Sequence, residues 1–192
     1  MKKIIRSILV CQALCLGVVA GAQAQNTMAM SETILVGGEA MYPKKDIIDN
    51  AVNSKNHTTL VAAVKAAGLV ETLKGKGPFT VFAPTNDAFE NLPEGTVEMV
   101  LKPENKAVLT KVLTYHVLAG KMDMKAIKMA IKKGNGKAEL KTVSGGTLWA
   151  MMNGDSNIIL KDETGMVANI TTYDVTQSNG VIHVIDAVVM PK

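Results

Sequence analysis

Hydrophobic positions follow two different rhythms along this chain, and the change comes near Gly134. Before it the spacing is helical. Ile47, Ile48, Ala51 and Val52 form one stripe across Asp46 to Val52. Leu60, Val61, Val64 and Ala67 repeat at the 3.6-residue period, which predicts a helix capped by Thr58 and ended by Gly68. A strand-like run, Pro78 to Ala83, interrupts this pattern. Helices are then predicted over Thr85–Asn91, over Thr96–Leu101 and after Pro103, a residue suited to a first helical turn. The last of these places Val108, Leu109, Val112, Leu113, His116 and Val117 along one face, and a more basic helix follows from Asp123 to Lys133.

After Gly134 the pattern becomes β. Ala138, Leu140 and Thr142 alternate with Glu139 and Lys141. Ser144-Gly145-Gly146, Asn153-Gly154-Asp155, Thr164-Gly165 and Asn179-Gly180 read as turns between short strands. The final strand, Val181 to Val189, is apolar on both faces, which predicts a central position. Helices first and strands later indicate an α+β domain.

The N-terminus has its own grammar. Lys2, Lys3 and Arg6 precede an uncharged, mostly apolar stretch to Ala20, and Ala22-Gln23-Ala24 offers small residues for cleavage. This is the pattern of a secretory signal peptide over residues 1–24. Its 13-residue run from Ile8 to Ala20 falls short of the roughly 18 residues of a membrane-spanning helix, so no transmembrane anchor is expected. Residues 25–43 lack sustained periodicity and read as a flexible leader, with a short strand near Thr33–Val36. One domain is expected over 44–192.

Composition changes the picture once the signal segment is set aside. The formal charge of +4 comes from 21 basic and 17 acidic residues, and Lys2, Lys3 and Arg6 leave with residues 1–24, so the exported chain is nearly neutral. It also has no arginine, which argues against nucleic-acid binding. Both cysteines, Cys11 and Cys15, lie in the signal segment, so no disulfide, thiolate catalysis or cysteine–zinc site is expected. The protein is expected in the periplasm or outside the cell.

Three segments stand out as a set: Phe79-Thr80-Val81-Phe82-Ala83-Pro84-Thr85-Asn86-Asp87-Ala88-Phe89, Tyr115-His116-Val117-Leu118, and Asn179-Gly180-Val181-Ile182-His183-Val184-Ile185-Asp186. In sequence, order and spacing they resemble the first signature box, the central Tyr-His motif and the second box of fasciclin-like domains, over about residues 44–191. The resemblance implies a wedge-like β-sandwich of about seven strands with helices packed alongside. It also implies noncatalytic adhesion or contact with a cell-surface, envelope or matrix protein or polysaccharide, with no cofactor. An isolated module of this kind is expected to be a monomer. Some animal members have an Asp-Ile pair upstream of the second box that is linked to integrin binding. Here that place holds Asp174-Val175, in a chain whose signal segment is of bacterial style, so integrin recognition is not implied.

The motif residues also have plain folding roles. Ala83-Pro84-Thr85 reads as a strand-to-helix corner with Thr85 as the cap. Phe79, Phe82 and Phe89, the only phenylalanines, are expected to anchor the core around that corner. Asn179-Gly180 is the turn into the central strand. His116, on an apolar helix face, and His183, in a buried strand, read as hydrogen-bonded structural histidines. His57 precedes a helix. Nothing in the spacing makes the three converge on a metal. His183 and Asp186 point to opposite faces of a regular strand, and no Gly-x-Ser-x-Gly elbow is present. No catalytic set is expected.

Two further features leave an alternative open. The chain has 12 methionines, including Met28-Ala29-Met30, Met122-Asp123-Met124 and Met151-Met152, and thioethers can hold Cu(I) in an exported protein. A periplasmic copper- or small-ligand-binding protein, using these methionines or a groove beside Trp149, is therefore the second reading. Methionine as pliable core filler is the simpler account. Lys125, Lys128, Lys132 and Lys133 form a basic helical face able to attract anionic envelope polymers.

Overall fold

The computed structural model describes residues 33–192. The signal segment, the first part of the leader and Met28-Ala29-Met30 lie outside the described residues. The chain opens with a hairpin of β1 (Ile34–Val36) and β2 (Glu39–Met41). This corrects the expected flexible leader for its described part. Gly37 and Gly38 both take positive φ at the turn, and Val36 and Met41 are buried in the core. The folded unit therefore reaches ahead of residue 44.

The helical half follows: α1 (Ile47–Ala51), α2 (Thr58–Ala67), α3 (Val70–Lys74), α4 (Asn86–Glu90), α5 (Thr96–Leu101), α6 (Lys106–Tyr115) and α7 (Met124–Lys133). Caps stop and start them in familiar ways. Asp46 accepts from Asp49 N at 2.8 Å, Asp123 from Ala126 N at 2.7 Å, and Thr85 from Ala88 N at 3.3 Å. The Thr58 expectation needs correction. Thr58 lies inside α2, and its hydroxyl turns to Asn86. Asn86 Oδ1, brought in by the strand-to-helix corner, accepts from Thr59 N at 3.1 Å. A local cap is thus replaced by a tertiary one.

Seven strands form the main sheet: β3 (Phe79–Pro84), β4 (Val117–Ala119), β5 (Lys137–Lys141), β6 (Thr147–Asn153), β7 (Asn157–Lys161), β8 (Val167–Gln177) and β9 (Gly180–Ile185). Their spatial order is β4-β3-β9-β8-β7-β6-β5. A bridge between Leu118 and Thr142 brings the far ends together, so the sheet nearly closes. This is the expected α+β architecture of seven strands with helices alongside.

β9 is central, between β8 and a parallel β3. Its alternation explains why it reads apolar on both faces. Ile182 and Val184 join Val81 and Ala83 in a core under α1, α2 and α6, while Ile185 joins Phe82 in a second core under α7. The strand ends at Ile185, short of the predicted Val189. Val117 is a second correction. The helix ends at His116, and Val117 begins β4, where it pairs with Val81 of β3 while its carbonyl accepts from Val143 N at 2.8 Å, so its backbone is satisfied without another helical turn.

Candidate functional site

The motif residues meet at the junction of helices and sheet. Tyr115 and His116 close α6. Tyr115 Oη donates to the Thr147 carbonyl at 2.7 Å and accepts from Glu163 N at 3.3 Å. Burial pushes its phenol up to about 12. His116 Nδ1 pairs with the Val112 carbonyl at 2.8 Å, one turn back in its own helix, so Nδ1 carries the proton. Nε2 then accepts from Val189 N at 3.2 Å. Both nitrogens are used, and burial drops the pKa to about 4, with Val112 and the Asp162 charge opposing it. The Tyr-His pair is a clamp that ties α6 to the sheet and to the C-terminal segment.

The two boxes lie side by side on β3 and β9. Asn179 is buried, and its side chain reaches three backbones. Oδ1 accepts from Ile47 N at 3.0 Å, and Nδ2 donates to the Leu73 and Gly75 carbonyls at 2.7 and 3.0 Å. Gly180 lets β3 approach, since a Cβ there would stand 2.2 Å from the Phe79 carbonyl oxygen. Thr80 Oγ1 donates to Gly120 O at 2.7 Å and accepts from Met122 N at 2.8 Å. His183 Nε2 donates to the Met122 carbonyl at 2.8 Å, and Nδ1 accepts from Asp174 N at 3.3 Å. The ring stacks on Phe82 with centroids 5.7 Å apart. Burial again lowers its pKa, opposed by the Met122 carbonyl and by Asp174 and Asp123.

Asp186 does not join His183. Its carboxylate accepts from Asn169 N at 2.7 Å and from Asn169 Nδ2 at 2.8 Å, across the sheet on β8. The three phenylalanines divide between the two cores around the corner. Phe82 is fully buried in the second core, while Phe79 and Phe89 both pack partly buried against the first, Phe89 also touching Ala88, Val112 and Val188. Strand alternation sends Phe79 and Phe82 to opposite faces, because they are an odd number of residues apart.

Asp174 and Val175 sit in an irregular stretch of β8, where the pairing register shifts between Thr172 and Val175. Val175 is buried. Asp174 takes φ 57°, and its Oδ1 accepts from Met124 N at 2.7 Å, satisfying the first free N–H of α7. A shallow open groove follows, lined by Met124, Lys125, Lys128, Met129, Lys132 and Asp174. α7 anchors itself through buried Ile127 and Ile131, which leaves these lysines on one outward face. None of them forms an ion pair among the described residues.

The other candidates are dispersed. Met122, Met124 and Met152 pack partly buried against the second core. Trp149 lies on β6, with Nε1 donating to Glu139 at 3.4 Å and Lys137 Nζ 5.5 Å above its ring. Among the described residues no group of three or more His, Cys, Asp or Glu comes together, and no helix is long and apolar enough to cross a membrane. Sequence reasoning placed His57 only ahead of a helix and gave Asn86 no role, whereas His57 is buried and Asn86 caps α2. Their partners come from segments about 30 residues away or from a 3₁₀ turn, which periodicity does not register.

Comparison with known proteins agrees with this layout. The Fasciclin domain family model matches residues 55–191. Protein sll1483 of Synechocystis is 42% identical over 171 residues, covering 86% of this chain and 87% of that protein. Immunogenic protein MPB70 of Mycobacterium bovis is 34% identical over 146 residues, 73% of this chain and 66% of its own length. Human periostin is 32% identical over 130 residues, 68% of this chain but only 14% of periostin. A FAS1 domain pair from the insect cell adhesion molecule Fasciclin I shares the fold, with a TM-score of 0.65 at 16% identity over 74% of this chain and 50% of that one. The chain belongs to the fasciclin domain family.

Proposed function

We propose that this protein is an exported, noncatalytic interaction module that contacts an anionic cell-surface, envelope or matrix component, protein or polysaccharide, through the outward face of α7. One observation carries the choice of face. Lys125, Lys128 and Lys132 recur at helical spacing beside exposed Met129, and among the described residues none of them is ion-paired, although Asp174 lines the same groove. The absence of a catalytic role is supported by the motif histidines, whose ring nitrogens are spent on the fold. Family membership and the likeness to an insect cell adhesion molecule support the interaction reading.

The test is binding of residues 25–192 to envelope and matrix fractions of the host, with a Lys125→Glu/Lys128→Glu/Lys132→Glu variant beside it. Saturable binding is expected, weakened by salt and reduced roughly tenfold or more by the charge reversal. Binding that survives the reversal would move the contact elsewhere on the module. No saturable binding to any fraction would remove the interaction reading itself.

A further inference from the structure

The dipeptide Asn-Gly occurs three times in the chain, at 135–136, 153–154 and 179–180. It is the pair most open to one uncatalysed reaction, in which the backbone nitrogen of the second residue attacks Cγ of the first. Glycine has no Cβ, so it leaves that nitrogen unshielded. The attack also needs the nitrogen free of a hydrogen bond and the asparagine side chain free to swing over it. As dipeptides the three pairs are equal. In the fold they are not.

At Asn179-Gly180 both partners are held. The Asn179 side chain is buried, with Oδ1 accepting from Ile47 N at 3.0 Å and Nδ2 donating to the Leu73 and Gly75 carbonyls at 2.7 and 3.0 Å. Gly180 lies in β9, paired on one side with β3 and on the other with β8. At Asn135-Gly136 the side chain is exposed, but the nucleophile is engaged. Asn135 takes φ 55° just beyond α7, and Gly136 N donates to the Ile131 carbonyl at 2.9 Å as part of the helix's C-terminal cap.

Asn153-Gly154 has neither protection. Asn153 is the last residue of β6 and pairs with Asn157 across the exposed loop 154–156. Among the described residues Gly154 N donates to no carbonyl, and no side-chain hydrogen bond ties Asn153 down. The space around Gly154 is open, since a Cβ there would meet nothing within 4 Å. We infer that Asn153 is a site of spontaneous deamidation, through a succinimide ring closed by Gly154 N. Gly154 N gives its proton to water or hydroxide and bonds to Asn153 Cγ; the Cγ–Nδ2 bond breaks, and Nδ2 leaves as ammonia. Water then opens the ring. Opening at Cγ gives aspartate, and opening at the original main-chain carbonyl gives isoaspartate, whose backbone runs through Cγ. Either product adds a carboxylate to a tip that already carries Asp155, and isoaspartate also lengthens the main chain where β6 ends. Both residues are exposed, so the core is untouched and the mark accumulates on folded protein as it ages. The reaction does not depend on what α7 contacts.

The test holds the purified protein at neutral pH, folded and in urea, and follows the three pairs by peptide mass spectrometry that separates aspartate from isoaspartate. In the folded protein Asn153 is expected to react about tenfold faster than Asn135, whose nucleophile must first lose a hydrogen bond, and faster still than Asn179. In urea the three are expected to react alike. Gly154→Ala, whose methyl crowds the attacking nitrogen, is expected to slow the reaction at Asn153 and leave Asn135 unchanged. The comparison of folded with unfolded wild type stands even if that variant does not fold. The inference is overturned by an Asn153 that keeps its amide in the folded protein while the unfolded chain reacts, or by Asn135 or Asn179 keeping pace with it in the folded protein. It is equally overturned by the same inequality persisting in urea, by aspartate forming without isoaspartate, or by an unchanged rate in folded Gly154→Ala.

Discussion

Val189 N donates to His116 Nε2 at 3.2 Å, and this contact fixes both the charge state of the histidine and the path of the C-terminal segment. Protonation of Nε2 would remove the acceptor and place a cation in a fully buried site. The folded-state pKa stands at about 4, below the ordinary 6.5, so the unfolded chain binds more protons between those values. Stability is therefore full above about pH 6.5 and is lost as pH falls toward 4. The loss from His116 is on the order of 3 kcal/mol, taking about 1.4 kcal/mol per pH unit. His57 and His183 are shifted in the same direction and add to it. Urea unfolding at pH 7.5 and 4.5 gives the total, and NMR titration of the His116 ring isolates its share. A ring that titrates near pH 6.5 would refute the assignment.

Gly180→Ala is expected to prevent or severely weaken folding. The new methyl would lie 2.2 Å from the Phe79 carbonyl oxygen, and the obstacle is backbone in a central strand pair, which cannot swing aside as a side chain would. Thermal unfolding of the variant checks this. Gly154→Ala is a useful contrast, since its Cβ would meet nothing within 4 Å, although its φ of 70° still carries some strain. A Gly180→Ala protein as stable as Gly154→Ala would show that the strands can part.

The phenylalanines separate what a sequence can announce from what it cannot. Their position around Ala83-Pro84-Thr85 marks the corner correctly, because strand ending and helix capping are local chemistry. Which core each ring enters is not local: Phe82 goes to the second, Phe79 and Phe89 to the first. Phe82→Ala should destabilise by about 3–5 kcal/mol, as expected for a fully buried ring. Phe89→Ala, at a partly buried site, should fall below that range, and chemical denaturation of the two variants orders them.

The same division runs through the rest of the molecule. Helices α2 and α6 and the alternation of β5 were legible because one face of each is apolar over enough residues to show a period. β4 was not, being three residues long and continuous with a helical stripe. The hairpin at 34–41 was hidden in a small, mixed segment where two apolar residues, Val36 and Met41, do the packing. The boxes revealed the family, and their spacing kept His183 and Asp186 apart. No spacing rule could have told the three Asn-Gly pairs apart, because they differ only in what the fold bonds to them.

Asp174 offers the closest link between a strained backbone and the proposed binding face. At φ 57° it occupies the left-handed region that Asp and Asn tolerate better than other side-chain-bearing residues. Its Oδ1 also holds the Met124 N–H at 2.7 Å, so the irregular stretch of β8 sets where α7 begins. Asp174→Asn retains an acceptor oxygen and the backbone tolerance, and should lie within about 1 kcal/mol of wild type. Asp174→Ala loses both, and should be destabilised by about 1–3 kcal/mol. Hydrogen exchange at the Met124 amide distinguishes the two: faster in Ala, near wild type in Asn. Both variants remove the same negative charge from the groove that Lys125, Lys128 and Lys132 line, so a difference between them in binding envelope material reports the seating of α7 and not charge: the Ala variant should bind more weakly than the Asn variant. Unchanged exchange at Met124 in Asp174→Ala would mean that α7 is seated by Ile127 and Ile131 alone, and that the irregularity in β8 has no hold on the binding face.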